Sequence, residues 1–309
     1  MKVAWIALHA AVLGAASSSA ATYTNPVIDP DCADPTVLIH DGTYYLSMTE
    51  PPTDGYNIYT SKDLVHWTKA GRAFQTDRER VWAPDLYFHP EDGRFYLYYT
   101  TNYVVGVAVA DKPEGPYEIV ADLLTPAIDG HLFRDDDGRL YLYYVRTDGP
   151  FRIWVQPMSD PVTPSGEPVQ LIEPDQPWET VNGPVTEGPF LLKHRGKYVL
   201  LYSGTGAPSP NYAVGMATSD SPTGPFEKSA SNPVFHRTDG VFGPGHGDVT
   251  TDGAGKLWFV YHQKVNDGDN YRRFVAIDPL AVDDKGILRG TPTRGEERPA
   301  PVPLGAGSD

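Results

Sequence analysis

The chain has 309 residues, 40% of them hydrophobic and 12% aromatic, which is enough apolar material for a sizeable core. Glycine and proline number 30 each, a composition that argues against a disordered chain and is typical of many short strands joined by tight turns. The formal net charge is −15 and Lys and Arg form no cluster, which argues against nucleic acid and polyanions as partners and favours a neutral ligand.

Residues 1–21 have the pattern of a secretory signal peptide. Lys2 precedes an apolar run that ends in small residues, an order that predicts cleavage near Ala20 or Ala21. The run is too short to span a bilayer and no second long apolar segment follows it, so we expect a secreted, extracellular protein without a membrane partner. Cys32 is the only cysteine, so an internal disulfide cannot form.

Five segments of the chain repeat one pattern, a turn glycine followed by an alternating aromatic and aliphatic strand. They are GTYYLSMTE from Gly42, GRFYLYYTT from Gly93, GRLYLYYVR from Gly138, GKYVLLYSG from Gly196 and GKLWFVYHQ from Gly255. Repeats of this length with several strands each indicate a β-propeller. We therefore predict an all-β, five-bladed β-propeller over residues 22–309, with an extended tail from about 290, and expect a monomer.

Each repeat also has an ionisable residue eight or nine positions before its turn glycine. These residues are Asp34, Asp85, Asp129, Glu187 and His246. The innermost strand of each propeller blade lines the central axis, so equivalent positions should converge at one mouth of that axis. Like charges brought close together oppose folding, a cost expected at functional sites. Taken singly, the Asp-Pro and Glu-Gly-Pro corners are also explained as turns in which a carboxylate caps backbone N–H groups.

The motifs around these residues resemble those of glycoside hydrolase family 43, five-bladed β-propeller enzymes that act on arabinose- and xylose-containing polymers. The matching motifs are ADP at 33–35, WAPD at 82–85, IDGHLF at 128–133, TEGPF at 186–190 and GHGD at 245–248. The resemblance runs from Asn25 to about Leu280. It implies that Asp34 is the general base, that Asp129 orients the acid and tunes its pKa, and that Glu187 is the general acid.

These roles agree with what glycoside cleavage requires, one protonated and one ionised carboxyl. An ionised Asp129 beside Glu187 is expected to raise the pKa of Glu187, since a like charge disfavours its ionised form. Asp34 and Glu187 belong to blades one and four, which are not neighbours around a ring of five. A wide gap between them leaves room for water and predicts inversion of the anomeric configuration.

The resemblance implies that Trp82 and Arg273 bind the substrate, and we expect Asp85 and Phe133 to bind it as well. Arg272 leaves the register of the arginine open, and core packing is the alternative for Trp82. His246 matches an axial histidine that in many relatives holds calcium or an ordered water, with Asp248 as a further candidate ligand. A structural histidine without metal is the alternative. We expect no cofactor to be required for the chemistry, with calcium as a possible structural ion.

The expected substrate is a neutral arabinose- or xylose-containing oligo- or polysaccharide. The short segment after Leu280 favours an exo-acting α-L-arabinofuranosidase, since family members with a long C-terminal β-sandwich tend to be β-xylosidases. The alternatives are a β-D-xylosidase, a bifunctional xylosidase/arabinofuranosidase and an endo-1,5-α-L-arabinanase. A carbohydrate-binding propeller lectin is the non-enzyme alternative, which the different axial residue in each repeat disfavours.

Overall fold

The computed structural model describes residues 21–29, 31–283 and 287–305. The predicted signal peptide lies, except for Ala21, outside the described residues. Within them, no helix has the length and apolar character needed to cross a bilayer.

The prediction of an all-β, five-bladed propeller is confirmed. Strand β1 (Thr22–Tyr23) precedes the blades. Blade one comprises β2 (Ala33–His40), β3 (Thr43–Thr49), β4 (Gly55–Ser61) and β5 (Thr68–Gln75). Blade two comprises β6 (Trp82–His89), β7 (Arg94–Thr101), β8 (Val104–Ala110) and β9 (Glu118–Leu124). Blade three comprises β10 (Ala127–Arg134), β11 (Leu140–Arg146), β12 (Arg152–Asp160), β13 (Thr163–Pro164) and β14 (Val169–Ile172).

The remaining elements complete the ring. A short 3₁₀ helix (Pro177–Thr180) leads into blade four, which comprises β15 (Thr186–His194), β16 (Lys197–Gly204), β17 (Ala213–Ser219) and β18 (Glu227–Lys228). Blade five comprises β19 (Phe242–Thr251), β20 (Leu257–Lys264) and β21 (Arg273–Pro279). Three short strands follow: β22 (Ala281–Val282), β23 (Leu288–Arg289) and β24 (Arg298–Pro299). All pairings within the blades are antiparallel.

The second strand of each blade is buried on both faces, and β7 shows why its sequence lacks polar alternation. Successive side chains of a strand point to opposite faces. Phe95, Leu97 and Tyr99 pack towards blade one, whereas Tyr96 and Tyr98 pack towards blade three. Five such apolar clusters fill the interfaces between neighbouring blades, including the one between blades five and one.

The ring is closed by both ends of the described chain. The N–H of Val27 donates to the carbonyl of Val275 at 3.0 Å, and the N–H of Val275 donates to the carbonyl of Ile28 at 3.0 Å, so the N-terminal segment extends blade five. Strand β24 pairs with β1. Beyond it, the N–H of Leu304 donates to the carbonyl of Lys62 in blade one. The extended tail therefore packs along blades five and one as far as it is described.

The axial strands carry a shared irregularity that positions the site. Each has a register shift near its start, and a residue with positive φ lies at or beside it: Asp34, Ala83, Asp129, Gly188 and His246. Such bulges bend a strand and re-aim its side chains. The prediction that five ionisable residues occupy equivalent positions is thus wrong for two of them. Glu187 comes one residue before the positive-φ residue of its strand, Gly188, and Asp85 comes two residues after that of its strand, Ala83.

Candidate active site

A cavity of about 640 Å³ opens at the end of the axis where the innermost strands begin, and all three predicted catalytic carboxyls line it. Asp34 comes from β2, Asp129 from β10 and Glu187 from β15, so three different blades supply them. Each of the three is 7 to 8% exposed. The cavity volume lies within the range of about 300–1,000 Å³ that is typical of small-ligand sites.

Asp34 is held by positive and hydrogen-bonding groups from blades one and five. Its Oδ1 lies 3.0 Å from Arg273 Nη1, 3.2 Å from His262 Nδ1 and 3.4 Å from His246 Nδ1. The Thr49 hydroxyl donates to Oδ2 at 3.0 Å. Burial opposes ionisation, but the nearby charge of Arg273 is the main influence that outweighs it and holds the pKa of Asp34 well below its ordinary value. Asp34 is therefore ionised throughout the neutral range.

Glu187 has the opposite electrostatic environment. Burial is the largest influence and, with the negative charge of Asp34, raises the pKa of Glu187 to about 7, although a hydrogen bond from Tyr212 and the charge of Arg273 oppose the rise. The Tyr212 hydroxyl donates to Glu187 Oε1 at 2.8 Å. Glu187 is thus largely protonated just below neutral pH, when Asp34 is ionised.

Asp129 is close enough to both Glu187 and Asp34 to be influenced by the charge of each. Its Oδ2 accepts a hydrogen bond of 3.0 Å from the N–H of Gly188, the residue next to Glu187. Burial, then the charges of Glu187 and Asp34, raise the pKa of Asp129 well above its ordinary value. We expected the charge of Asp129 to be the main cause of the high pKa of Glu187, but burial is the larger one.

Two of the predicted substrate-binding residues line the cavity. Trp82 forms one wall, with its ring edge-on to that of Tyr103 at 5.8 Å between centroids. Arg273, the first residue of β21, lines the cavity, whereas the neighbouring Arg272 is exposed. Of the two arginines that the sequence offered, Arg273 is therefore the one at the site. Tyr271, which is 64% exposed, also lines the cavity. No sequence pattern predicted its position, because it lies in an irregular loop.

The other two predicted substrate-binding residues do not line the cavity. Asp85 lines a separate axial chamber of about 20 Å³ below the cavity. It lies there because the bulge at Ala83 places it farther along the strand from the cavity. There it accepts hydrogen bonds from His131 Nδ1 at 2.9 Å and from the Leu132 N–H at 3.0 Å. Phe133 packs between blades three and four, edge-on to Tyr198 at 6.2 Å.

His246 lines both the cavity and the deeper chamber. Its Nδ1 faces Asp34, and burial lowers the pKa of His246, which favours the neutral imidazole. Asp248 accepts a hydrogen bond of 2.8 Å from the N–H of Val37. Across residues 21–29, 31–283 and 287–305, no group of three or more His, Cys, Asp or Glu side chains is placed to hold a metal ion. The calcium expected from the sequence stays a prediction, and no step of the chemistry is assigned to it.

Two glycines near the carboxyls, Gly188 and Gly245, are explained by close packing between blades four and five. A Cβ on Gly188, whose φ is +56°, would lie 2.8 Å from Cγ of His246. A Cβ on Gly245 would lie 2.5 Å from the ring of Tyr212. Contacts this short force neighbouring atoms to move, so both positions need glycine to let blades four and five approach.

A second set of polar residues lies at the ends of the second strands and was not predicted from the sequence. They occur seven residues after the turn glycines and are Thr49, Thr100, Ser203 and His262. Each accepts a backbone N–H from the axial strand of the next blade: from Ala83 at 2.7 Å, Asp129 at 3.0 Å, His246 at 2.9 Å and Asp34 at 3.3 Å. Their recurrence at one position of the repeat was the available signal.

The geometry therefore combines an ionised carboxylate and a protonated carboxyl in one cavity with an aromatic wall and an arginine. One group can accept a proton from water while the other donates a proton to a leaving oxygen. This is the pairing that hydrolysis of an acetal requires.

Comparison with known proteins gives an independent result. The model of the family described as Glycosyl hydrolases family 43 matches residues 23–288. A solved structure described as a thermostable family-43 glycoside hydrolase superposes with a TM-score of 0.83 at 35% identity, covering 90% of this chain and 99% of the other.

Two curated relatives show the range of activities among similar proteins. An extracellular exo-α-(1→5)-L-arabinofuranosidase of Streptomyces avermitilis is 30% identical over 86% of this chain, which spans 60% of that relative's length. A β-D-galactofuranosidase of Aspergillus niger is 30% identical over 85% of this chain, which spans 83% of that relative.

Proposed function

The chain belongs to glycosyl hydrolases family 43, and on this premise we propose that it is an exo-acting α-L-arabinofuranosidase that hydrolyses its substrate with inversion. The observation that carries the proposal is the opposite shift of two pKa values in one cavity. The pKa of Asp34 is lowered, whereas that of Glu187 is raised to about 7. Asp34 is the general base and Glu187 the general acid.

In the proposed mechanism, a water beside Asp34 attacks the anomeric carbon. Asp34 takes a proton from this water as the new carbon–oxygen bond forms. Glu187 gives its proton to the glycosidic oxygen as the bond between that oxygen and the anomeric carbon breaks. The products are the free sugar and the shortened alcohol. Asp129 orients the acid through its hydrogen bond to the Gly188 N–H.

Inversion is supported by the separation of acid and base among the blades. Asp34 and Glu187 come from blades one and four, which do not follow one another around the ring. Furthermore, no hydrogen bond joins these two side chains; each has its own partners, Arg273 for Asp34 and Tyr212 for Glu187. A water can therefore lie between Asp34 and the sugar, as direct displacement by water requires.

The substrate assignment draws on a relative and on the chemistry of the cavity. The Streptomyces avermitilis relative is named for exo action on α-(1→5)-L-arabinofuranosides. The cavity has an aromatic wall at Trp82 and a cation at Arg273, groups that contact the apolar face and the hydroxyls of a neutral sugar. A β-D-galactofuranosidase is the second candidate, favoured by the Aspergillus niger relative, since galactofuranose also presents a five-membered ring.

We also propose that the protein acts outside the cell on plant cell-wall arabinan or hemicellulose. The proposal is supported by the signal-like residues 1–21 and by the extracellular description of the Streptomyces relative. Expression of the full chain with its N-terminal segment, followed by N-terminal sequencing of protein from the medium, tests it. Protein retained in the cell with an uncleaved N-terminus contradicts it.

The substrate is tested with a matched panel of aryl glycosides and one polymer. The panel contains aryl α-L-arabinofuranoside, β-D-galactofuranoside and β-D-xyloside together with linear arabinan. We expect the highest kcat/KM on the arabinofuranoside and release of arabinose alone from arabinan. Short arabino-oligosaccharides as the first products would instead identify an endo-arabinanase, and preference for the xyloside would identify a β-D-xylosidase. Binding without any turnover would point to a lectin.

The catalytic roles are tested by stereochemistry and by one substitution. Proton NMR of the earliest product is expected to show the inverted anomer; a retained anomer would reject attack by water. Glu187→Gln keeps the size of the side chain and removes its acid. We expect turnover of arabinan to fall by about 10²–10⁴-fold, with a smaller loss on a dinitrophenyl glycoside, whose leaving group needs little protonation. Near-normal turnover of arabinan would remove Glu187 from its role.

A further inference from the structure

We propose that Tyr212 is the positioning residue of the general acid, and that its hydroxyl orients Glu187 and sets the pH above which the enzyme loses activity. The inference rests on the proposed role of Glu187. Its basis is the hydrogen bond of 2.8 Å from the Tyr212 hydroxyl to Glu187 Oε1, made by a phenol with no exposed surface.

The ring of Tyr212 is held rigidly by its surroundings. It stacks on the imidazole of His262 at 5.4 Å with an interplanar angle of 14°. On its edge it lies against Gly245, where a Cβ would approach the ring to 2.5 Å. A rigid ring fixes the position of its hydroxyl, and such preorganised groups hold a reacting side chain near its productive geometry.

The hydrogen bond leaves the two oxygens of Glu187 in different states. Oε1 is occupied by Tyr212, whereas Oε2 receives no hydrogen bond from any residue that the structure describes. Since Glu187 lines the cavity, Oε2 is the oxygen available to carry the proton towards the leaving group. Tyr212 thus selects which oxygen acts as the acid.

The same hydrogen bond stabilises the ionised form of Glu187, because the phenol is a donor and a carboxylate is the stronger acceptor. It therefore opposes the effect of burial on the pKa of Glu187. The other charged and titratable groups around this carboxyl are Asp129, Asp34, Arg273, His246 and, behind the phenol, His262. None of these five groups donates a hydrogen bond to Glu187, whereas the Tyr212 hydroxyl does.

The direct test is Tyr212→Phe, which removes the hydroxyl and keeps the ring. A hydrogen bond to a charged group corresponds to roughly one pKa unit. We expect the basic limb of the kcat/KM pH profile to move up by about one unit, because the acid stays protonated to higher pH. We also expect a larger fall in kcat on arabinan than on a dinitrophenyl glycoside.

The matched control is Tyr98→Phe, because Tyr98 is equally buried and its hydroxyl donates to the carbonyl of Pro161 at 2.6 Å, away from the cavity. This variant should keep the wild-type pH profile even if it loses stability. If Tyr212→Phe does not fold, replacement of Tyr212 by 3-fluorotyrosine supplies a second measurement. Fluorine makes the phenol a stronger donor, so the basic limb should move down.

A basic limb that stays at its wild-type position in the Tyr212 variant that folds would overturn the inference. The proposed function is tested separately by Glu187→Gln. If that variant is inactive on arabinan while the Tyr212 variant leaves the limb unchanged, the acid role stands and only the inference about Tyr212 fails. If Glu187→Gln is active, the proposed function fails first.

Discussion

Arg273→Met is the substitution that most directly tests the electrostatic account of the site. Methionine keeps the unbranched apolar stem of the side chain but removes the charge that lies 3.0 Å from Asp34 Oδ1, in a pair whose side chains are 11% and 9% exposed. Two unit charges about 4 Å apart interact by about 4 kcal/mol at an effective dielectric constant of about 20. This corresponds to about three pKa units. We therefore expect the pKa of Asp34 to rise by up to this amount when the charge of Arg273 is removed.

The assay is the pH dependence of kcat/KM, which reports the pKa values of the free enzyme. Because Asp34 acts ionised, the acid limb should move up from far below the ordinary range of aspartate towards that range. The charge of Arg273 also lowers the pKa of Glu187, so the basic limb should move up as well. Arg272→Met is the matched control, since Arg272 is exposed and forms no ion pair with any described residue.

Stability supplies a second readout with a definite sign. Removing one partner of a buried ion pair costs about 3 kcal/mol or more, which corresponds to a fall in Tm of roughly 6–12 °C. The lowered pKa of Asp34 contributes stability above the unfolded-state pKa and loses it as the pH falls through the folded-state pKa. The difference in Tm between wild type and variant should therefore persist from pH 7 down to about pH 4 and narrow only as the pH falls well below the ordinary pKa of aspartate. A variant with unchanged limbs and Tm would refute the reasoning.

Three further substitutions test the packing and the layers of the site. Gly188→Ala should lower the free energy of unfolding by about 2 kcal/mol more than Gly196→Ala; both glycines have positive φ, but only at Gly188 would a Cβ meet a ring, that of His246. Urea unfolding measures the difference, and equal losses would contradict the contact. Trp82→Ala should raise KM for aryl arabinofuranoside at least about tenfold with a smaller change in kcat. An unchanged KM would show that Trp82 packs in the core without contacting the substrate. Asp85→Asn should lower Tm with little change in KM, whereas a large rise in KM would restore its contact with substrate.

The local sequence determined most of the fold. A turn glycine followed by alternating aromatic and aliphatic residues specifies a hairpin, and five copies specify five sheets, because these signals depend on neighbouring residues alone. The same repeats located Asp34, Asp129 and Glu187, whose side chains line one cavity. Their glycine and proline corners are also local features, and the close approach at Gly188 explains one of them.

Tertiary structure alone decided which ionisable residues line the same cavity and which residues they contact. The bulge beside Ala83, a residue with no marked preference for positive φ, moves Asp85 into the deeper chamber. Arg273 reaches Asp34 across 239 positions of the chain, and Tyr212 reaches Glu187 across an interval no motif marks. Burial, which depends on the packing of all five blades, then separates the pKa values of Asp34 and Glu187. The sequence specifies the type of each residue, but its pKa depends on the charges and the burial around it, which only the closed ring brings together.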